Sequence, residues 1–352
     1  MNPRLERKLR LLAVIIAVGT FAGLVVNLAQ GRTSPASMVA GIVYGLFMSV
    51  AIGGVELFIL GGPMRVWLGG LSFTANLIVR STIYAAIIVI IQFSQSGEVI
   101  AGLPLETSKQ NFWSGFIYSA VISVLMNLIF GIAHIIGPRT FLNFITGQYH
   151  TPVEENRFVL FVDIAGSTGV AERLGGVGIH RFLDRTFRLL NLSVVDYRGE
   201  VLNYVGDEVI VTWPERSGAI DCRPLRCFMA MRDELTLASS QLEREFAAAP
   251  RIRGSLHFGP VIVGEIGDIK RAIVFNGDVM NTAARLEELS RKVEGGFLAS
   301  RAAIERFSST LPFAVRDLGR FAIRGRTHGI DVVGLDTSNI RPPTVRPLGL
   351  SE

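Results

Sequence analysis

Acidic side chains stand at the ends of two apolar segments in the second half of the chain. The segment VLFVDIAGST, residues 159–168, has the pattern of a buried strand and carries Asp163 at its end. The segment NYVGDEV, residues 203–209, carries Asp207 between two apolar runs. An ionised carboxylate beside apolar residues is costly unless a cation, a hydrogen-bond donor or water meets it. Each residue also has a structural interpretation, because Asp163 can support a helix-capping turn and Asp207 can form a hairpin turn.

Taken together, the two carboxylates predict more than either does alone. A hairpin that pairs with the 158–164 strand would bring Asp207 next to Asp163. Mg²⁺ in proteins is commonly held by one or two carboxylates together with substrate phosphates. The turn after Asp163 leads into a predicted helix, and the amide groups at the start of a helix are a binding site for anions. The pattern therefore favours a metal-dependent phosphate site over two unrelated turns.

A third polar segment follows farther along the chain. In FNGDVMNTAARLEEL, residues 275–289, Asp278 is predicted to cap a helix, and Asn281 and Arg285 lie four residues apart on one helix face. An exposed polar face is one interpretation of this pair. An amide donor and a fixed cation one turn apart also suit a ribose and a pentavalent phosphate. His257, inside a predicted strand, is interpreted as a packed core histidine.

Alternating strands and helices are predicted to position these side chains. The strand at 158–164 is followed by a helix at 169–197 and by the hairpin around Gly206. A second helix is predicted at about 217–247. The remaining segments are predicted as two strands, RIRGSLHFG and PVIVGEIG, and a helix at 279–291. This order predicts an α+β domain with the helices on one face of the sheet.

The first part of the chain has a different composition. The chain has 352 residues, is 49% hydrophobic and has a mean hydropathy of +0.41, which is too apolar for a soluble enzyme of this length. Four apolar runs come close to the ~20 residues that a helix needs to cross a bilayer. We therefore predict a transmembrane domain at 1–136 with four helices, at about 11–29, 37–60, 74–94 and 113–136.

The charges predict how these helices are oriented. Residues 1–150 contain nine Lys and Arg but only four Asp and Glu, so the net charge of +5 belongs to this part of the chain. The basic residues cluster before the first run, between the second and third, and after the fourth, which places both termini in the cytoplasm. The first run is interpreted as an uncleaved helix. The pI of 9.5 therefore reflects topology, and no nucleic acid partner is predicted.

Two features within the apolar runs have open interpretations. GIVYG, Gly41 to Gly45, has the small-xxx-small spacing of a helix dimerisation motif. Glu56 and Arg80 lie at similar depth, so they either form an ion pair or extend separately to the membrane interface. After the last run, residues 137–156 are predicted to be a connecting helix and linker that includes the polar break TPVEENR. The Pro-rich segment 337–352 is predicted to be disordered.

Four segments in the second half resemble the class III nucleotide cyclases, the adenylate and guanylate cyclase catalytic domains. FVDIAGST, YVGDEV, LHFGPVIVGEIG and NGDVMNTAARLEEL stand in the order of that family and at its approximate spacings, within about residues 156–336. The resemblance implies a catalytic domain at 157–336 with a ferredoxin-like βαββαβ core. It also implies a head-to-tail homodimer with active sites at the interface.

The resemblance implies roles for individual residues. Asp163 and Asp207 would hold two Mg²⁺ or Mn²⁺ ions on the triphosphate of ATP, and Asn281 and Arg285 of the partner chain would stabilise the transition state. Arg324 matches a position that reaches the terminal phosphates. Backbone N–H groups for the phosphates would come from Ile164, Ala165, Gly166, Ser167 and Thr168. The implied function is a membrane-anchored adenylate cyclase of the bacterial cytoplasmic (inner) membrane that makes cyclic AMP and pyrophosphate.

Two positions depart from the family pattern. Asn203 stands where adenylate cyclases usually have a base-reading Lys, and Val274 stands where they have Asp or Thr. Neither residue matches the Glu and Cys of guanylate cyclases. Asn203 can still hydrogen-bond to a purine, whereas Val274 offers only packing or its backbone. ATP is the expected substrate, and the alternatives are guanylate cyclase activity on the same fold or a membrane receptor that binds nucleotide without turnover.

Overall fold

The structure is a computed structural model. It describes residues 3–31, 33–95, 109–269, 271–293, 295–311, 313–322 and 329–335. The chain forms two compact units, the first ending at Pro138 and the second starting at Arg139. Arg324 and the predicted disordered segment 337–352 lie outside the described residues.

In the N-terminal unit, helices joined by short turns make up the described residues. Four helical segments are long and apolar enough to cross a bilayer: Lys8–Ala29, Pro35–Leu60, Phe73–Ile91 and Phe116–Ala133. Their number and approximate positions agree with the sequence prediction. The elements are α1 (Pro3–Ala29), α2 (Pro35–Gly54), a π-helix (Val55–Leu60), α3 (Arg65–Gly69), α4 (Phe73–Gln95) and α5 (Lys109–Ile136).

The glycines of GIVYG form a contact within one chain. A Cβ atom on Gly45 would lie 2.5 Å from the Gly19 carbonyl oxygen of α1, and a Cβ on Gly23 would lie 2.3 Å from the Gly41 carbonyl oxygen. Both glycines of the motif are buried. The interpretation of this motif as a dimer contact is therefore wrong, because the small residues are used to bring α1 and α2 close together.

The two ionisable residues of the apolar runs are paired. Arg80 forms an ion pair with Glu56 of the π-helix, and the Tyr84 hydroxyl donates to the same carboxylate. Arg80 Nε also donates to Asn76 Oδ1 at 2.6 Å. Of the two interpretations left open by the sequence, the ion pair is the one the structure shows.

The C-terminal unit contains the predicted ferredoxin-like core. Apart from two short helical turns, the strands and helices between residues 153 and 266 follow in the order βαββαβ. The elements are α6 (Pro138–Thr146), β1 (Val153–Ala165), α7 (Ser167–Asp196), β2 (Glu200–Val205), β3 (Glu208–Pro214), α8 (Glu215–Ala219), a 3₁₀ turn (Ile220–Cys222), α9 (Arg223–Phe246), β4 (Arg251–Ile266), β5 (Ala272–Asn276), α10 (Asp278–Ser290), β6 (Phe297–Ser300), α11 (Arg301–Glu305), β7 (Val315–Phe321) and β8 (Ile330–Leu335).

The mixed sheet has helices on both faces. Its strand order is β2-β3-β1-β4-β6-β8-β7, with β5 paired to β4. Side chains alternate between faces along a strand. Phe158 and Leu160 of β1 pack in a core with α7, α9 and α11, whereas Val159 and Phe161 pack with Val279 of α10. The prediction that all helices cover one face is therefore wrong, because the apolar face of α10 covers the other.

The predicted strands RIRGSLHFG and PVIVGEIG form one continuous strand, β4. The second predicted strand began at Pro260. It lies between the part of β4 that pairs with β6, residues 254–256, and the part that pairs with β5, residues 262–266. Proline is tolerated in a sheet where a strand has a free edge. The strand therefore continues through Pro260.

The polar segment TPVEENR is not a break, because β1 begins at Val153. Arg157 is fully buried, and its guanidinium pairs with Glu155 at 2.7 Å and with Glu200 of β2 at 3.2 Å. It also lies 5.1 Å from the ring centroid of Phe275. Pairing of this kind allows a charged residue to be buried in a strand. Hydropathy alone therefore misplaced the start of the strand.

Candidate active site

A row of charged residues crosses the sheet at the end of β1. Asp163 lies opposite Glu208 of β3 and opposite Arg253 of β4. Residues directly opposite in a sheet point to the same face. Asp163 follows Val159 and Phe161 at the period of two, so the row lies on the face covered by α10. Only 3% of Asp163 is exposed.

The turn between β2 and β3 places Asp207 beside this row. Gly206 has a φ of +62°, which favours glycine, and Asp207 follows it in the turn. The Ile164 N–H donates to the Asp207 carbonyl oxygen at 3.2 Å, which holds the turn against the end of β1. The Ser167 hydroxyl donates to Asp207 Oδ2. The structure thus brings the carboxylates of Asp163 and Asp207 to one place.

The acidic groups of this site repel one another. Burial raises the pKa of Asp163 to about 6, with further increases from the charges of Glu287 and Asp207, while Arg291 and Arg253 oppose the rise. Burial and the charges of Glu287, Asp163 and Asp207 also raise the pKa of Glu208 to about 7. Four carboxylates therefore share a partly buried region with two guanidinium groups.

This set of donors fits divalent cations. Repulsion between buried carboxylates is relieved when a cation binds between them, and oxygen ligands of this kind suit Mg²⁺. Among the described residues, no group of three or more His, Cys, Asp or Glu side chains has the arrangement of a complete metal site. The protein would thus supply only part of the coordination shell, as at a site that shares its metals with substrate phosphates.

The turn after Asp163 leads directly into α7. Gly166 has a φ of +76° and is the residue before the first turn of the helix, and Ser167 starts it. The first amide groups of a helix have no partner within the helix, so they are available to an anion. The Ile164 N–H differs, since it already donates to Asp207. The prediction that the Ile164 N–H binds a phosphate is therefore wrong for this arrangement, because the Asp207 carbonyl oxygen already accepts it.

Asn281 and Arg285 lie on the exposed side of α10. The helix starts at Asp278, and Gly277 with a φ of +144° is its N-cap, so the prediction of Asp278 as the cap is wrong by one residue. Asn281 is exposed and Arg285 is half-buried. Among the described residues, the hydrogen bonds and ion pairs of the Asp163 carboxylate come from Arg253 and Arg291. Neither Asn281 nor Arg285 forms such a contact with the Asp163 of its own chain in the part of the chain that the structure describes.

The predicted base-reading residues lie on two different strands. Asn203 is exposed on β2 where the register with β3 shifts, and its Oδ1 accepts the Tyr204 N–H at 2.9 Å. Val274 lies on β5 opposite Gly264 of β4. In the strand order, β3, β1 and β4 stand between β2 and β5. Arg324, predicted to reach the terminal phosphates, lies outside the described residues.

Four charged residues of the site were not predicted from the sequence: Glu208, Arg253, Glu287 and Arg291. Arg253 could have been found from the sequence, because it is a charged residue within the predicted strand RIRGSLHFG. The structure places it opposite Asp163. Glu287 of α10 and Arg291 just after it are harder to find from the sequence, because their spacing is that of any helical ion pair. Glu208 directly follows Asp207, and the turn interpretation of this segment gave it no separate role. His257 is buried as predicted, and its Nδ1 is hydrogen-bonded to Ser300 Oγ at 2.7 Å.

Comparison with known proteins gives consistent results. Residues 150–333 match the family model of the adenylate and guanylate cyclase catalytic domain. Adenylate cyclase 2 of Rhizobium meliloti (strain 1021) is 28% identical over 305 residues, which are 85% of this chain and 84% of the relative. Adenylate cyclase of Anabaena cylindrica is 24% identical over 180 residues, which are 49% of this chain and 35% of the relative.

Among solved structures, a bacterial light-regulated adenylyl cyclase superposes with a TM-score of 0.54 at 18% identity, covering 66% of each chain. At this identity the likeness shows the fold alone. The match to the family model is more specific, because it extends over more than half of the chain and includes β1, the β2–β3 turn and α10. The chain belongs to the family of adenylate and guanylate cyclase catalytic domains.

Proposed function

We propose that this chain is a membrane-anchored adenylate cyclase that converts ATP to 3′,5′-cyclic AMP and pyrophosphate. The observation that carries this proposal is the convergence of Asp163 and Asp207 beside the first turn of α7. Two carboxylates next to free helix amides can hold a metal-bound triphosphate. The ribose 3′-hydroxyl then attacks the α-phosphorus in line, and pyrophosphate leaves.

Asp163 and Asp207 are the proposed ligands of two Mg²⁺ or Mn²⁺ ions. When bound, the ions would neutralise the triphosphate and make the 3′-hydroxyl easier to deprotonate. The chain's own contribution is to orient the carboxylates: the β1 register fixes Asp163, and the Ser167 hydroxyl fixes Asp207. The amides of Ala165, Gly166, Ser167 and Thr168 remain the proposed phosphate contacts.

The second half of each active site is proposed to come from a partner chain. Asn281 is exposed and Arg285 is half-buried on α10, so both are accessible to a neighbouring chain, which supports a homodimer in which they serve the neighbouring site. Asn281 would orient the ribose by hydrogen bonds, and Arg285 would stabilise the charge that develops at the α-phosphate. Arg324 is proposed to contact the terminal phosphates.

ATP is the proposed substrate. The two relatives described above are named adenylate cyclases. The exposed amide of Asn203 can donate to and accept from a purine edge, whereas Val274 adds packing only. Because neither residue is charged, GTP is the second candidate, and discrimination between the two bases should be modest.

The four long apolar helices support anchoring in a bilayer. We propose that residues 1–136 are the anchor, that the connector from residue 137 ends before β1 begins at Val153, that the catalytic domain continues to residue 336 and that 337–352 are a tail. The Lys and Arg distribution supports cytoplasmic termini and a cytoplasmic catalytic domain at a bacterial inner membrane.

Product analysis tests this function. The full chain in lipid nanodiscs is incubated with Mn²⁺ and either ATP or GTP, and the nucleotide products are identified by mass spectrometry. We expect cyclic AMP as the main product, and Asp207→Asn as the matched control should give none. A preference for cyclic GMP would instead support guanylate cyclase activity. Nucleotide binding without any cyclic product would support a receptor.

A further inference from the structure

Arg291 lies next to the proposed metal-binding carboxylate although no step of the proposed reaction uses it. It follows the last residue of α10. One guanidinium nitrogen, Nη2, lies 3.8 Å from Asp163 Oδ2. The same nitrogen donates to Glu287 Oε2 at 3.3 Å, and Nε donates to Glu287 Oε1 at 3.4 Å. Arg291 therefore has a two-point attachment to Glu287 and a single longer contact with Asp163.

The burial of the three side chains is unequal. Those of Glu287 and Asp163 are 3% and 5% exposed, whereas that of Arg291 is 51% exposed. A buried carboxylate needs a counter-charge, and Arg291 provides it for Glu287. The half-exposed guanidinium can move within reach of solvent while it stays attached to Glu287. Of the three groups, Arg291 is the one with freedom to change its contact.

Arg253 also faces Asp163 Oδ2, at 3.3 Å, but it is held more firmly. Its side chain is 25% exposed, and its stem packs against Gly296. A Cβ on Gly296 would lie 2.8 Å from Arg253 Cγ, and this glycine has a φ of +64°. The close contact fixes the stem of Arg253. A cation that approaches Asp163 would therefore displace Arg291 in preference to Arg253.

We propose that Arg291, tethered by Glu287, is a built-in counter-cation of Asp163 that divalent metal must displace, so that this pair of positioning residues sets the metal affinity of the site. The proposal rests on the proposed role of Asp163 as a metal ligand. Glu287 adds negative charge that attracts the metal, while Arg291 competes with the metal for the same oxygen. The two residues therefore act on metal binding in opposite directions.

The signs of two substitutions follow from this arrangement. Arg291→Ala removes the competitor and should tighten Mn²⁺ binding roughly three- to tenfold, as expected for a partly exposed charge. Glu287→Gln keeps the shape of the side chain but removes the charge that attracts the metal. Asp163 is then the remaining carboxylate that Arg291 pairs with, so Mn²⁺ binding should weaken. A purely structural role would weaken binding in both variants.

The test measures Mn²⁺ binding to the full chain in lipid nanodiscs without nucleotide, from the electron paramagnetic resonance signal of free Mn²⁺. Arg291→Lys keeps the charge and should stay nearer to wild type than Arg291→Ala does. Lys292→Ala is the matched control, because Lys292 is the next residue, is exposed, and forms no ion pair among the described residues. Circular dichroism checks that each variant is folded.

Tighter binding by Arg291→Ala together with weaker binding by Glu287→Gln would support the proposal. Unchanged or weaker binding by Arg291→Ala would overturn it. Asp163→Asn separates this result from the proposed function. If Asp163→Asn leaves Mn²⁺ binding intact, the metal assignment is wrong and the proposal falls with it. If Asp163→Asn abolishes binding while Arg291→Ala has no effect, only the counter-cation is refuted.

Discussion

Asp163 illustrates how neighbouring residues define the chemistry of one side chain. Its position at the end of an apolar strand makes it buried, and its neighbours across the sheet are one acid, Glu208, and one base, Arg253. The α10 helix adds another acid and another base above it. The excess of carboxylates over guanidinium groups leaves negative charge that divalent cations can neutralise.

Asp207→Asn tests the metal assignment at the residue scale. Asparagine keeps the size of the side chain and the backbone contact with Ile164 but removes the anionic ligand. Cyclase turnover should fall by at least about a hundredfold, since a metal site supplies on the order of several kcal/mol of transition-state stabilisation. The assay is cyclic nucleotide formation at saturating Mn²⁺. Glu154→Gln, which alters an exposed acid of β1, serves as the control, and comparable rates in both variants would refute the assignment.

The raised pKa values predict how metal-free stability depends on pH. Asp163 and Glu208 have pKa values of about 6 and about 7 in the folded protein, above the ordinary value near 4. The folded state therefore binds these protons more tightly than the unfolded state. Their stabilising contribution is complete below about pH 4 and is lost as the pH rises through about 6 to 7.

Thermal unfolding in EDTA at about pH 5 and about pH 8 measures this effect. Wild-type protein should lose more stability between the two values than Glu208→Gln, in which one titrating group is gone. Added Mn²⁺ should restore more stability at the higher pH, where the carboxylates are ionised. An equal pH response in wild type and Glu208→Gln would show that Glu208 titrates as an ordinary carboxyl.

The sequence was sufficient to predict Asp163 and Asp207, because a charge next to an apolar run is visible without a structure. It was insufficient for Glu287 and Arg291. Their spacing is that of a common surface ion pair, and only the packing of α10 over the sheet places them beside Asp163. The site residues that act through tertiary contacts are thus those that local patterns leave out.

At the scale of elements, α10 has two faces with different roles. Val279 and Ala283 pack on the sheet, while Asn281 is exposed. Glu287 and Arg291 tie the end of the helix to Asp163. The position of the helix is set at its start by Gly277, whose φ of +144° is open mainly to glycine.

Gly277→Ala should therefore lower activity by moving the start of α10. An added Cβ would lie 3.1 Å from the Pro260 carbonyl oxygen, and the backbone conformation would be strained. Displacement of Asn281 by a fraction of an ångström should reduce kcat more than nucleotide affinity. Gly176→Ala, at a glycine of α7 with no neighbour within 4 Å of the added Cβ, is the control. Wild-type kcat in Gly277→Ala would contradict this role.

The order of the strands and helices was predictable from the sequence. Two strand boundaries and the helix on the second face of the sheet were not. Alternation of apolar runs with turn residues predicted an α+β domain, and the resemblance to the class III cyclases implied its βαββαβ core. The strand boundary at Pro260 was wrong, because the tolerance of a proline depends on which strands flank β4. The polar break at TPVEENR was wrong, because the charge of Arg157 is paired inside the fold. The position of α10 on the second face of the sheet was also not predicted. Burial of α10 depends on tertiary packing, which a periodicity does not report.

At the scale of the whole molecule, the proposed reaction needs two copies of the chain. Asp163 and Asp207 interact within the catalytic unit, while among the described residues no hydrogen bond or ion pair joins Asn281 or Arg285 to Asp163. In a head-to-tail homodimer each site takes its metals from one chain and its transition-state pair from the other. The central claim is therefore that catalysis occurs at a composite site.

Co-expression of Asp163→Ala and Arg285→Ala chains tests this claim most directly, with cyclic AMP formation by the purified full-length mixture as the measurement. Each variant alone should be nearly inactive. In a mixed dimer one site collects both lesions and the other collects neither. About half of randomly paired dimers are mixed, so activity should recover to about a quarter of wild type. If the mixture stays as inactive as each variant alone, although pull-down of differently tagged chains shows that they pair, the composite site is wrong.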